Sequence, residues 1–367
     1  ATGAFLSDNI ISFFAFHELA LIPTFVMIGL YGRGDRRTTA WRATLYLGLA
    51  SMVLLAALLM IGTQAGFTFS GLKDFMASGR ELAHAELIGA LLIAGFGTLI
   101  SLFPFHSWAA PAYASAPAPV AMMHAGVLKK FGLYGLFMFQ PLMETGFLPW
   151  TNILLVLLVC NVIWVGYVTV NQKRLDLLLG NSSVMHMGYI FLAFAALVVS
   201  GSAEANPWAL KGAALLMLAH GLTIALLFLL CGQIEKQTGT LEINSLGGLS
   251  TRLPRMAFVF GLAGMASIGL PGLANFPGEF MVFFSGFAGF SNGFGPVQIA
   301  TILCLWGLVI GAVYMLRAYR NIFQGDLSKA SAYATGLQPS ERAANCFLVI
   351  ALAVFGFFPT LVLQFFS

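Results

Sequence analysis

The stretch "GLPGLANFPGEF", residues 269–280, interrupts an apolar run that otherwise extends from 254 to 290. Gly269, Pro271, Gly272, Pro277 and Gly278 crowd into it. Proline lacks an amide proton and glycine resists ordering, so this spacing predicts two half-helices with a break between them. In water such a break is an ordinary loop. At membrane depth its freed N–H and C=O groups are tolerated only against protein or a polar cavity. A second interruption, "FPFHSWAAP" at 103–111, breaks the run 86–113 in the same way.

A helix needs ~20 mostly apolar residues to cross ~30 Å of hydrocarbon. By that rule the chain carries ten spans, at approximately 5–31, 41–64, 86–113, 118–140, 149–171, 182–200, 207–232, 254–290, 296–322 and 343–366. Composition agrees: 59% of the 367 residues are hydrophobic and 9% are charged, against about 25% charged in soluble domains. The fold class expected is all-α, a polytopic membrane bundle of about ten helices, two of them broken. The polar stretches near 70–84, 233–252 and 325–342 are too short to bury a core of their own.

The net charge of +4 is spread over short loops, with no basic stripe, which excludes nucleic-acid binding. Cys160, Cys231, Cys304 and Cys346 stand singly, so no disulfide, iron–sulfur cluster or zinc site is expected. No GxGxxG or P-loop follows a strand. The chain starts at Ala1, and its first apolar run carries His17 and Glu18, which a cleavable signal would not tolerate; it reads as processed or as a fragment.

Loop charges orient the bundle. Arg33, Arg36, Arg37, Arg42, Lys173, Arg174, Lys236, Arg252, Arg255, Arg317, Arg320, Lys329 and Arg342 occupy the odd joints, and only Lys73, Arg80 and Lys211 the even ones. Thirteen against three places the odd joints on the cytoplasmic side. Lys129 and Lys130 are left over, in the middle of the fourth span.

Ionisable groups inside spans are functional candidates because burying a charge there costs at least ~2.5 kcal/mol. Glu18, central in "FFAFHELALIPTF", suits a proton relay, with a protonated packing role as the alternative. Lys129 and Lys130 lie too deep to snorkel and point ~100° apart, so one faces the bundle interior and the other a half-channel or a polar neighbour. Glu279 follows the break, four residues after Asn275, where it could hold water or simply complement a half-helix N-terminus. His186 and His220 can pass protons between their two ring nitrogens, with simple hydrogen bonding the alternative. His124 is a weaker candidate, and His17 and His106 read as local structure.

The segments "FFAFHELALIPTFVMIGLYG", "LFPFHSWAAPAYASAPAP", "HAGVLKKFGLYG", "SSVMHMGYI", "MLAHGLTIALLFLLCGQIEK" and "GLPGLANFPGEF" together resemble the antiporter-like proton-conducting subunits of respiratory complex I, of the subunit M or chain 4 type. The resemblance runs from Phe13 to the C-terminus. It implies two inverted repeats, the first partial (1–140) and the second at 141–322, followed by a cytoplasmic loop and last helix at 323–367. The first span would correspond to the fifth helix of the family, with about four helices upstream of it. The resemblance also implies roles: Glu18 as the essential Glu, Lys130 as the central Lys, His186 and His220 as a polar axis, and Glu279 as the terminal Glu. No cofactor is expected in this chain, and NADH, FMN, iron–sulfur clusters and quinone would belong to partner subunits. The expected partners are antiporter-like neighbours of the membrane arm, an indirectly attached peripheral arm and the lipid bilayer, and the location is a bacterial inner membrane.

There is one departure. Seven residues before His106, where the family usually carries Lys, this chain has Leu99, and "W-L-P-D-A-H" reads "WAAPAY". Glu18 is then unpaired, more protonated, or served by the extra Lys129. The function expected is proton translocation coupled to NADH oxidation and quinone reduction elsewhere in the complex. The alternatives are a multi-chain cation/proton antiporter or hydrogenase-linked pump, and a non-conducting scaffold copy.

Overall fold

A computed structural model describes residues 2–288 and 293–366. Among these residues the chain is helical without strands, apart from two isolated bridges. The helices are α1 (Thr2–Leu6), α2 (Ile10–Tyr31), α3 (Arg36–Ala65), α4 (Phe69–Ala77), α5 (Ala85–Ile100), α6 (Ala109–Ser115), α7 (Ala118–Met123), α8 (Lys129–Met138) and α9 (Thr151–Val170). There follow α10 (Leu175–Ser200), α11 (Pro207–Thr238), α12 (Leu249–Arg252), α13 (Pro254–Ser267), α14 (Asn275–Ser285), α15 (Pro296–Phe323), α16 (Pro339–Phe357) and α17 (Thr360–Leu363).

Seven uninterrupted segments are long and apolar enough to cross a membrane. The other three expected spans are interrupted: α5 with α6, α7 with α8, and α13 with α14. Several boundaries move. The sixth span starts at Leu175, not 182, because Asp176 is held by Arg174 at 2.7 Å and so enters the helix. The seventh runs to Thr238, and the tenth is Pro339–Phe357. The fourth span, expected to be continuous, contains a π-helical turn at His124–Leu128 just before the two lysines. Residues 289 and 290 of the eighth expected span lie outside the described residues.

Helix α10 is the hub: 94% of its apolar window is buried, against 17% for α2 and 11% for α16. Small residues let its neighbours approach. A Cβ on Gly180 would lie 2.8 Å from Ala110 Cα, and one on Gly221 would lie 2.7 Å from the Gly126 carbonyl oxygen. Close backbone approach of this kind is how helices gain van der Waals contact where lipid removes the hydrophobic drive. The second contact brings the π-helical turn against α11.

The first break covers residues 101–108 and its freed backbone is satisfied by protein. Asn161 of α9 accepts from Phe103 N at 2.5 Å and donates to Ser101 O and Val184 O at 3.2 Å each. Trp108 Nε1 donates to Thr98 O at 3.0 Å. Asn161 is fully buried. Replacing it with Leu strands up to three buried polar groups, each worth ~1–3 kcal/mol. Asn161→Leu is therefore expected to lower the thermal midpoint of the detergent-solubilised protein markedly, whereas the exposed control Asn171→Leu leaves it unchanged.

Candidate functional site: a buried line of Lys, His and Glu

The second break, residues 268–274, uses a histidine where the first uses an asparagine. His186 on α10 has Nε2 at 2.9 Å from Ser267 O, the freed carbonyl at the end of α13, and Nδ1 at 2.8 Å from Ser182 O. Both ring nitrogens thus face carbonyl acceptors. A neutral imidazole has one N–H and satisfies one of them, whereas an imidazolium satisfies both.

His220 on α11 stacks on His186, with ring centroids 5.2 Å apart and an interplanar angle of 20°. Its Nε2 lies 3.2 Å from Ser183 Oγ. Lys129 Nζ donates to Ser183 O at 3.5 Å and sits 5.7 Å from the Tyr113 ring centroid. Lys129, Ser183, His220 and His186 therefore form one buried line across α8, α10 and α11, each member at most 2% exposed. Lys130 behaves differently. Its Nζ turns back to Ala125 O at 2.6 Å, in the π-helical turn, and it lines an apolar cavity of about 350 Å³ between α8 and α11.

At one end of the line, Glu18 Oε1 accepts from Ser51 Oγ at 2.5 Å and lies 3.1 Å from His17 Nδ1. Glu18 and Lys129 make no ion pair, contrary to a direct reading of Lys129 as the partner of Glu18. His17, read from sequence as local structure, stands between them. It lines a cavity of about 10 Å³ together with Leu99, His124 and Lys129, room for about one water. Leu99 and Lys129 thus wall the same cavity. His124 Nδ1 and Tyr113 Oη, beside Lys129, are buried without a protein partner.

At the other end, Glu279 on α14 is 3% exposed, with no protein partner for Oε1. A Cβ on Gly269 would overlap Glu279 Oε2, so the glycine at φ +79° makes room for the carboxyl. Tyr189 and Tyr314 lie within electrostatic range of Glu279, and Tyr314 Oη is 2.7 Å from Ser182 Oγ. Asn275, one turn before Glu279, accepts from Thr223 Oγ1 at 2.9 Å, one turn beyond His220. His106 stacks on Phe103 within the first break, outside the line.

Ser51, Ser183 and Tyr314 were not singled out from sequence. Only Ser183 carried a signal, standing three residues before His186 and so on the same helical face. Among the described residues no group of three His, Cys, Asp or Glu could hold a metal ion.

Two broken helices flanking a buried line of titratable side chains are an arrangement like that of secondary transporters. Residues 7–308 match the family model described as NADH:quinone oxidoreductase/Mrp antiporter, TM, and the chain belongs to that family. NAD(P)H-quinone oxidoreductase chain 4 of Synechococcus elongatus is 35% identical over 99% of this chain and 67% of its own length. NADH-quinone oxidoreductase subunit M of Rickettsia felis is 30% identical over 99% of this chain and 71% of its own. A chain of respiratory complex I from Thermus thermophilus superposes with a TM-score of 0.85 at 27% identity, covering 96% of this chain and 72% of that one. This chain spans about two thirds of the length of such relatives, 61% for chain 4 of Microcystis aeruginosa and 58% for chain 4-3 of Nostoc sp.. The resemblance read from the six segments is borne out, as is the all-α polytopic fold.

Proposed function

We propose that this chain is a membrane-arm subunit of an NADH:quinone oxidoreductase and carries protons along Glu18, His17, Lys129, His220, His186 and Glu279. The observation that carries the reading is the buried run of contacts from Lys129 Nζ to Ser183 O, from Ser183 Oγ to His220 Nε2 and across the His220–His186 ring stack, beside the freed carbonyl of a broken helix. A chemical gap at Leu99 is bridged by Lys129 from the facing wall of the same cavity. Lys130 serves the line from its own cavity and changes charge with it. Groups coupled this closely titrate as a set, so a charge change at one end shifts the others. Moving one charge against ~100 mV costs ~2.3 kcal/mol, which a shift of one to two pKa units supplies.

NADH, FMN, iron–sulfur clusters and quinone belong in this reading to partner subunits, and the chain sits with antiporter-like neighbours in a bacterial cell membrane. Residues 1–140 and 141–322 are read as inverted repeats, each with one break satisfied by a side chain of the central helices. A second reading, cation/proton antiport without redox chemistry, is kept alive by the family description itself. Proton uptake by vesicles separates the two. The redox reading expects uptake to require NADH and to fall in Lys130→Met; sodium-driven proton flux without NADH would replace it with antiport.

A further inference from the structure

Three exposed arginines share one pocket, and their side chains have no protein partner among the described residues. Arg252 closes α12, Arg255 stands at the start of α13, and Arg342 lies in the first turns of α16; together they line a cavity of about 250 Å³ with Pro254, Thr335 and Leu337. Among the described residues none of the three guanidinium groups donates a hydrogen bond or joins an ion pair, although the Arg342 backbone N–H donates to Gln338 O at 3.1 Å. The side chains of Arg33, Arg36, Arg42, Arg80, Arg174 and Arg317 each donate to a protein acceptor, whereas among the described residues those of Arg37 and Arg320 do not; what sets Arg252, Arg255 and Arg342 apart is that they share one cavity. The pocket is also framed by the N-termini of α13 and α16, whose dipoles add positive potential that arginines do not offset. No acid lines it, and Glu341, next to Arg342, is taken up by Lys236 at 2.7 Å and by Gln338 N at 2.8 Å. Three guanidinium groups around one cavity with no acid in its lining give it the charge to attract an anion.

An apolar groove of about 490 Å³ begins one turn further along α13. Phe258, Leu262 and Met265 form one wall, Leu316 and Tyr319 of α15 the other, and Phe357 of α16 lies at the far end. At ~100° per residue, Arg255, Phe258, Leu262 and Met265 fall within ~80° of one another on α13. Arg255 therefore caps the same stripe that lines the groove. From Phe258 to Ile268 the helix rises ~15 Å, half the ~30 Å hydrocarbon core and so one leaflet. Phe258 is 68% and Phe357 69% exposed, as befits side chains facing lipid.

We propose that this is a binding site for one anionic phospholipid, with its phosphate among Arg252, Arg255 and Arg342 and an acyl chain along the α13–α15 groove. The charge distinguishes it from a zwitterionic lipid, and the one-leaflet groove below the arginines distinguishes it from free phosphate. The arginines lie on the side of the basic joints, where the leaflet carries anionic lipid.

The test uses the full chain purified with its accompanying subunits in mild detergent, counting retained phosphatidylglycerol or cardiolipin by native mass spectrometry. The combined R252Q, R255Q and R342Q variant is expected to lose one bound anionic phospholipid per chain while staying assembled. Leu316→Trp, which fills the groove and leaves the arginines in place, is expected to lower occupancy several-fold, and excess inorganic phosphate is expected to displace the lipid poorly. An unchanged lipid count in the triple arginine variant would overturn the proposal. So would complete displacement by inorganic phosphate, or loss of a neighbouring subunit in place of lipid, which would assign the arginines to a protein contact.

Discussion

Lys129→Leu is expected to cut NADH-driven proton uptake by inverted vesicles by ~10-fold or more, a loss of at least ~1.4 kcal/mol of transition-state stabilisation, and adding Leu99→Lys is expected to restore much of it. Both residues wall the cavity of about 10 Å³ that also holds His17 and His124. Removing the Lys129 amine takes away the only polar group among the described residues that both lines this cavity and bonds Ser183 O. A lysine at 99 returns a cation to the same space from the opposite wall. Leu99→Lys alone puts two ammonium groups around one cavity, where charges ~4 Å apart repel by ~4 kcal/mol at an effective dielectric of 20. That single variant is therefore expected to be less stable than wild type. If the double variant pumps no better than Lys129→Leu, the cation at this cavity is merely packing.

The second large effect is at Glu279. Glu279→Gln keeps the size of a side chain whose Oε2 nests on Gly269, so the fold and electron transfer should persist. An amide cannot release the proton that the line delivers, and proton translocation should fall as far as in Lys129→Leu. Gly269→Ala tests the same point without touching the carboxyl: its Cβ would overlap Oε2, and a non-glycine residue at φ +79° costs roughly 1–2 kcal/mol. It should reproduce the Glu279→Gln phenotype with a modest loss of stability. The check is proton uptake at matched rates of NADH oxidation; pumping at the wild-type level by Glu279→Gln would place the exit of the line elsewhere.

The helix inventory was legible in the sequence because ~20-residue apolar runs are a strong signal and charged joints punctuate them. Both breaks were legible too, since proline and glycine act locally. The boundaries near Asp176 and Thr238 were not: what extends those helices is tertiary, an Arg174–Asp176 pair at one end and packing of α11 at the other. The π-helical turn at His124–Leu128 leaves no signature in composition, yet it sets the directions in which Lys129 and Lys130 leave the helix. Residue types that are costly in lipid, Glu18, Lys129, Lys130, His186, His220 and Glu279, stood out. Serines and carbonyl groups did not, because they are cheap to bury and acquire meaning only from what they face. Ser183 is the clearest case, joining Lys129 to His220. His17 was undervalued for a related reason. Its neighbour Glu18 was visible in sequence, but the cavity on its other side is made by α5 and α8.

The most direct test is the number of protons translocated per electron pair by the complex reconstituted in liposomes, compared among wild type, Lys129→Met and Glu279→Gln. If the line from Glu18 to Glu279 conducts in series, both variants fall below wild type by the same amount while quinone reduction continues. A wild-type ratio in both variants would contradict proton conduction through this chain.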